Sequence, residues 1–218
     1  MTINERINAV KRELPASCAL IVVSKNRPVN QILEAYESGN RQFAENRVQN
    51  LIERHDQLPK DISWHLIGHL QTNKVKYIAP FVALIHSLDS IKLADEINKQ
   101  GEKNNRIIPC LLQIHVAQEE SKFGIIPAEI EAFMSTFISR NYKYIQLHGI
   151  MGMASFVDDN EQVIREFRTL KSCFDRLKLQ YFSQDDHFCE ISMGMSGDYK
   201  LAIQEGSTMV RIGSLLFD

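Results

Sequence analysis

The sequence predicts an α/β protein: a single (β/α)8 TIM-type barrel spanning residues 1–218 as one domain. Three observations carry this. Short runs rich in Val, Ile and Leu alternate with amphipathic stretches eight times along the chain, with no linker-like or low-complexity segment between them. Such alternation means parallel strands joined by right-handed crossovers, and eight units in 218 residues suit a closed barrel of modest size. The turn after the first run reads Ser24-Lys25-Asn26-Arg27-Pro28. A doubly wound open sheet, the alternative, usually carries Gly-x-Gly-x-x-Gly there.

Taken in order, Ile3, Ile7 and Val10 stand at helical spacing over 3–13. The first strand, 18–24, is continuously apolar, as expected of a strand buried on both faces. Pro28 opens a helix over 28–38, with Ile32, Leu33 and Tyr36 inward and Gly39 just past its end. A short strand over 42–46 precedes a helix carrying Val48, Leu51 and Ile52. A strand over 64–68 and a short helix over 74–78 follow, then a strand over 82–87 and a helix from Ser90 to Gly101. The longest apolar run, 107–116, is the fifth strand. Pro127 opens a helix with Ile130, Phe133, Met134 and Phe137 on one face. The sixth strand covers 144–153. Asp158 or Asp159 caps a helix whose Val163, Phe167, Leu170, Phe174 and Leu177 give the clearest amphipathic pattern in the chain. A seventh strand over 188–193, a helix capped by Ser196 and an eighth strand over 209–217 complete the barrel.

Composition excludes several classes. A net charge of −2 leaves no electrostatic footprint for nucleic acid. No run approaches the roughly 18 apolar residues of a membrane span, and the polar start Met1-Thr2-Ile3-Asn4-Glu5-Arg6 carries no secretory signal. Cys18, Cys110, Cys173 and Cys189 are widely spaced, as free thiols of a reducing cytoplasm would be. His65 and His69 flank Gly68 in a strand-like pattern, so no metal site is expected.

The chemistry is expected at the carboxyl ends of the strands. Lys25 ends the first strand there. The loops after the last two strands read Ser192-Met193-Gly194-Met195-Ser196-Gly197 and Arg211-Ile212-Gly213-Ser214. Glycines let backbone N–H groups approach an anion, serine hydroxyls add donors, and these are the loops the fold reserves for phosphate. Arg211 lies inside an apolar strand and needs a partner: Glu45, Glu190 or the ring nitrogen of a ligand. A lysine, a phosphate cradle and a polar ring partner at one mouth suggest pyridoxal 5′-phosphate. Trp64 reads as packing, His65 and His148 as hydrogen-bonded core histidines, and His69 as a candidate for the mouth. Lys74 and Lys122 read as solvated or paired with carboxylates, and Met151, Met153, Met193 and Met195 as adaptable packing at the barrel top.

Several segments resemble the YggS/PROSC family of pyridoxal phosphate homeostasis proteins. They are Val23-Ser24-Lys25, the run Phe43 to Gln49 (FAENRVQ), the run Trp64 to Lys74 (WHLIGHLQTNK), Ser121-Lys122-Phe123-Gly124, His148-Gly149-Ile150-Met151, Ser192 to Ser196 (SMGMS) and Met209 to Ser214 (MVRIGS). The resemblance runs in order along nearly the whole chain. It implies a barrel like the N-terminal domain of alanine racemase, with Lys25 carrying the cofactor as an internal aldimine. It also implies Arg211 at the pyridine nitrogen, Ser196, Gly213 and Ser214 around the phosphate, and Ser192 and Asn46 as further contacts. Two positions depart from the family pattern: Ala44 stands where glycine is usual, and Asn26 where threonine is usual.

The expected function is to hold pyridoxal phosphate for intracellular homeostasis, without strong catalysis, as a monomer that can pass the cofactor to apo-enzymes. An amino-acid racemase is the alternative. The sequence reaches Asp218 directly after its eighth strand, so a second domain that would supply a second proton donor is not expected. Arginine is also a permanent donor that would keep the ring nitrogen neutral, which limits carbanion chemistry. A lysine-imine aldolase is a weaker reading, because its lysine would come from a later strand.

Overall fold

The structure, a computed structural model, describes residues 1–118 and 123–218. Its elements in order are α1 (Ile3–Glu13), β1 (Ala19–Val23), α2 (Val29–Glu37), β2 (Gln42–Glu45), α3 (Val48–Gln57), β3 (Ser63–Leu66), α4 (Val75–Ile78), β4 (Leu84–Leu88), α5 (Ile91–Lys103), β5 (Ile108–Gln113), α6 (Ile130–Ser139), β6 (Ile145–Met151), α7 (Asn160–Tyr181), β7 (Glu190–Ser192), α8 (Tyr199–Gln204), β8 (Met209–Ile212) and α9 (Ser214–Phe217). The strands close into a parallel barrel in sequence order, with β8 beside β1.

Local chemistry sets the helix starts. The Thr2 hydroxyl accepts the Glu5 N–H while the Glu5 carboxylate accepts the Thr2 N–H, a reciprocal cap on α1. Ser90 caps α5. Asp159, rather than Asp158, caps α7 by accepting from Glu161 and Gln162. α7 buries Val163, Phe167, Leu170, Cys173 and Leu177 against the sheet. Trp64 is buried and packs 5.8 Å from Phe43, between the barrel and its helices.

Strand parity divides the core in two. One set of alternating residues, including Leu20, Val22, Phe43 and Leu66, meets the helices. The other set fills the lumen: Ile21, Val23, Ala44, Leu84, Leu111, Met151 and Met209. Register carries polar residues into that lumen as well, Gln113 opposite Met151 among them, and four are bonded in one row. Arg211 lies opposite Ile21, His65 opposite both Ala44 and Leu84, and Ser192 opposite both Met151 and Met209. His86, two residues beyond Leu84, is the fourth.

Several expected boundaries move. The fifth strand ends at Gln113, and Ile114 makes only an isolated bridge to Ile125. The eighth strand ends at Ile212 instead of running to Phe217. β1 ends at Val23, so a longer β8 would have no ladder partner. The chain instead makes a helical turn in which Leu216 and Phe217 donate to the Gly213 carbonyl and bury their side chains. α8 starts at Tyr199, with Asp198 rather than Ser196 at its N-cap position.

Candidate functional site

Lys25 follows β1 by two residues, in a turn at the carboxyl end of the barrel. Its side chain is exposed, and no hydrogen bond or ion pair among the described residues engages its ammonium. The turn depends on Asn26, whose φ is +61°. Asparagine tolerates this left-handed conformation, whereas a β-branched threonine does not. The departure at Asn26 is therefore matched by the local backbone. Arg27 fixes the turn from both sides. Its guanidinium pairs with Asp218 at 2.5 Å, and its carbonyl accepts from Arg54 at 2.7 Å.

Arg211 is the deep end of the site. It sits four residues below the level of Lys25, roughly 13 Å along the strand at ~3.3 Å per residue. It is only 4% exposed. Glu45 is not its partner, because that carboxylate belongs to the opposite strand face and accepts the Ser24 hydroxyl at 2.7 Å. Glu190 is not its partner either; that carboxylate accepts from Thr208. Instead Arg211 donates to the Ser192 hydroxyl at 2.7 Å and to the Gly152 carbonyl at 3.1 Å. Burial brings the guanidinium down to about 10, with Asp198 pulling the other way.

Ser192 is completely buried. Its hydroxyl lies between Arg211 and His86, whose Nδ1 is 3.0 Å away. The other ring nitrogen of His86 lies 2.9 Å from Nδ1 of His65. Burial holds His65 down to about 4. Burial, with repulsion from Arg211 and from any charge placed on His65, holds His86 well below its ordinary range. Both imidazoles are thus neutral at pH 7.

The two expected anion loops meet. The Ser196 hydroxyl faces the backbone N–H groups of Gly213 and Leu215, 3.3 Å from each. Gly213 lies tight against β1, where an added Cβ would come 3.1 Å from the Val23 carbonyl oxygen. Ser214 is exposed at the start of α9. Asp198 accepts the Met195 N–H at 2.5 Å and braces the first loop; burial raises its carboxyl pKa, opposed by that bond and by Arg211. Asn46 follows β2 at the same end, and its carbonyl passes so close to Gly68 that a Cβ there would lie 2.1 Å from the oxygen. Ala44 keeps regular pairing with Val23 and His65, so the departure at this position leaves the strand undisturbed.

Of the remaining expectations, His65 and His148 are hydrogen-bonded, the latter to Gln146 at 3.1 Å. His69 stands past β3, paired with Asp89 at 3.4 Å and stacked on Phe123 at 3.9 Å. Lys74 lies over the Tyr77 ring. Met151 fills the lumen and Met193 the outer core, while Met153 is exposed. Ser121 and Lys122 lie outside the described residues. Sequence reasoning missed His86. The signal available was a histidine at the same strand parity as Leu84, within the short run Leu84–Leu88.

Closed parallel topology, a strand-end lysine and glycine–serine loops after the last two strands define a barrel of the alanine racemase N-terminal type, and that family matches residues 2–218. The chain belongs, within it, to the pyridoxal phosphate homeostasis protein family. A protein of that name from Aquifex aeolicus is 42% identical over 204 residues, covering 92% of this chain and 87% of the relative. PipY of Synechococcus elongatus, solved with pyridoxal phosphate bound, superposes with a TM-score of 0.89 at 33% identity, over 100% of both chains. An alanine racemase from Clostridium difficile in complex with cycloserine superposes with a TM-score of 0.83 over 99% of this chain and 59% of that one. At 16% identity that likeness is one of fold alone.

Proposed function

We propose that this chain holds pyridoxal 5′-phosphate at the barrel mouth, covalently attached to Nζ of Lys25, and serves its homeostasis without strong catalysis of its own. One observation carries the reading: just past the end of β1, a lysine with no bond among the described residues stands above a buried arginine of the adjacent β8 that has no bonded carboxylate among them. A buried cation left in this way calls for an acceptor from outside the chain. Pyridoxal phosphate, when bound, supplies an aldehyde that condenses with a primary amine with loss of water, together with a pyridine nitrogen and a phosphate dianion. The donor set matches each feature. Lys25 offers the amine and Arg211 a permanent donor to the ring nitrogen. Ser196, Ser214 and the N–H groups of Gly213 and Leu215 offer the anion cradle. Asn46, at the same end of the barrel, would add a polar contact. Ser192 acts through Arg211, since its hydroxyl is already bonded there.

The PipY structure with pyridoxal phosphate and the relatives' shared name support the same reading. Because Arg211 keeps the ring nitrogen neutral, the site suits storage and delivery better than carbanion chemistry. We further infer that residues 1–218 act as one cofactor-binding unit and as a monomer, and that apo-enzymes are the recipients. Four free cysteines, three of them buried, support a reducing cytoplasmic setting. No helix among the described residues is long and apolar enough to cross a membrane.

The alternative, an amino-acid racemase, draws on the shared fold. Both readings are tested on one preparation. Added pyridoxal phosphate should give a band near ~420 nm, expected of a pyridoxal imine, and the loaded protein should activate an apo-enzyme. Incubation with L-alanine in deuterated water should give no enzyme-like D-alanine formation; turnover on the order of 1 s⁻¹ would establish the racemase instead.

A further inference from the structure

The lumen holds a continuous polar row inside an apolar lining. Its members come from four strands: His65 on β3, His86 on β4, Ser192 on β7 and Arg211 on β8. Around them lie Ile21, Leu84, Leu111, Met151 and Met209. Polar groups in such a setting persist only when their bonds are complete.

The row has a direction. Arginine only donates, so Ser192 Oγ accepts from it. The single proton of the Ser192 hydroxyl then has one polar atom bonded to it among the described residues, Nδ1 of His86. With Nδ1 accepting, neutral His86 carries its proton on Nε2 and donates to Nδ1 of His65. Neutral His65 is thereby also the Nε2–H form. The opposite direction would make Ser192 accept twice and leave its hydroxyl proton unbonded in the lumen.

We propose that His86 and Ser192, backed by His65, are positioning residues that fix the guanidinium of Arg211 toward the mouth, with the two imidazoles locked as Nε2–H tautomers. Ser192, in register with Met151 and Met209 and so one pleat below Arg211, holds one corner of the fork, and the Gly152 carbonyl holds another. The remaining N–H bonds are left for a ring acceptor above. Glu166 steadies the second hold: it accepts the N–H and hydroxyl of Ser155, three residues beyond Gly152, at 2.6 and 2.8 Å. The tautomer assignment stands on this row alone, whereas the purpose of the row rests on the cofactor reading above.

The test has two arms. In the first, long-range ¹H–¹⁵N correlation spectra of the protein without cofactor report the tautomers, with His65→Gln and His86→Gln giving the assignments. Nε2–H is expected for both. An Nδ1–H form at His86, or a protonated ring at neutral pH, would overturn the relay even if the cofactor binds. In the second arm, pyridoxal phosphate is titrated into the wild type, Ser192→Ala, His86→Leu and His86→Asn. Ser192→Ala and His86→Leu should shift the visible band and weaken binding roughly fivefold to tenfold, the worth of one ordinary hydrogen bond. His86→Asn keeps an acceptor near the Nδ1 position and should restore the band. Wild-type spectra and affinity in His86→Leu would overturn the positioning role. Failure of the wild type to take up pyridoxal phosphate would overturn the cofactor reading and the purpose assigned to the row, while the tautomer arm would still decide the relay.

Discussion

Replacing Arg211 with methionine separates what this side chain does for the fold from what it does for a ligand. The arginine is 4% exposed, and its described partners are a hydroxyl and a carbonyl. Burial lowers it from 12.5 to about 10, on the order of 3 kcal/mol against carrying the charge in the folded state. Two hydrogen bonds from a charged donor offset this at about 1.5–3 kcal/mol each. Methionine is unbranched, polarisable and apolar, so the change removes both the cost and the gain. The unloaded variant should therefore lose only about 0–3 kcal/mol, read as the urea unfolding free energy. Affinity for pyridoxal phosphate should fall by roughly 10–100-fold, the worth of one charge-assisted bond to the ring nitrogen. Absorbance titration measures that fall. A loss above about 5 kcal/mol without ligand would make Arg211 a structural keystone. Unchanged affinity and spectrum would remove it from the site.

Three further outcomes follow from the barrel itself. Gly149 has φ +149°, and an added Cβ would stand 1.8 Å from the Glu190 carbonyl oxygen. Gly149→Ala should therefore cost about 3 kcal/mol or more and lower the melting temperature by about 6 °C or more; an unchanged melt would refute the tight β6–β7 approach. Burial raises the Glu45 carboxyl pKa, against opposition from the Ser24 hydroxyl and Arg54. The wild type thus loses stability as pH rises from the ordinary carboxylate range through the raised folded value. Glu45→Gln should escape that loss, unfolding at higher urea than wild type at pH 8 but not at pH 4. His65 is the reverse case: a base held at about 4 when folded and 6.5 otherwise. The unfolded chain takes up the proton first, so stability should fall by on the order of 3 kcal/mol as pH drops from 6.5 to 4. A flat urea midpoint across that window would contradict a buried neutral His65.

Strand identity and barrel closure were legible because each buried strand is a short apolar run between helices with clear caps. Strand ends were less so. Leu215, Leu216 and Phe217 continue an apolar run, and periodicity alone does not tell a strand from a helical turn over so few residues. What decides it is the end of β1 at Val23, a tertiary fact. The placement of Lys25, Ser196 and Gly213 at the carboxyl end of the barrel could be read from their positions after strands. The partners of Arg211 could not, because strand parity had to be combined with register to put Glu45 outside the lumen and Ser192 within it. His86 was hidden for the same reason. Its strand carries two adjacent polar residues, His86 and Ser87, and only register shows that position 86 points inward, beside His65.

The central claim is that Lys25 is the residue to which pyridoxal phosphate becomes attached. The most direct measurement is borohydride reduction of the loaded protein followed by peptide mass spectrometry, with Lys25→Ala alongside. The pyridoxyl-phosphate mass should appear on the peptide containing Lys25, and the variant should lose the visible band. A mass on another lysine in the wild type, or a band that persists in Lys25→Ala, would contradict the account.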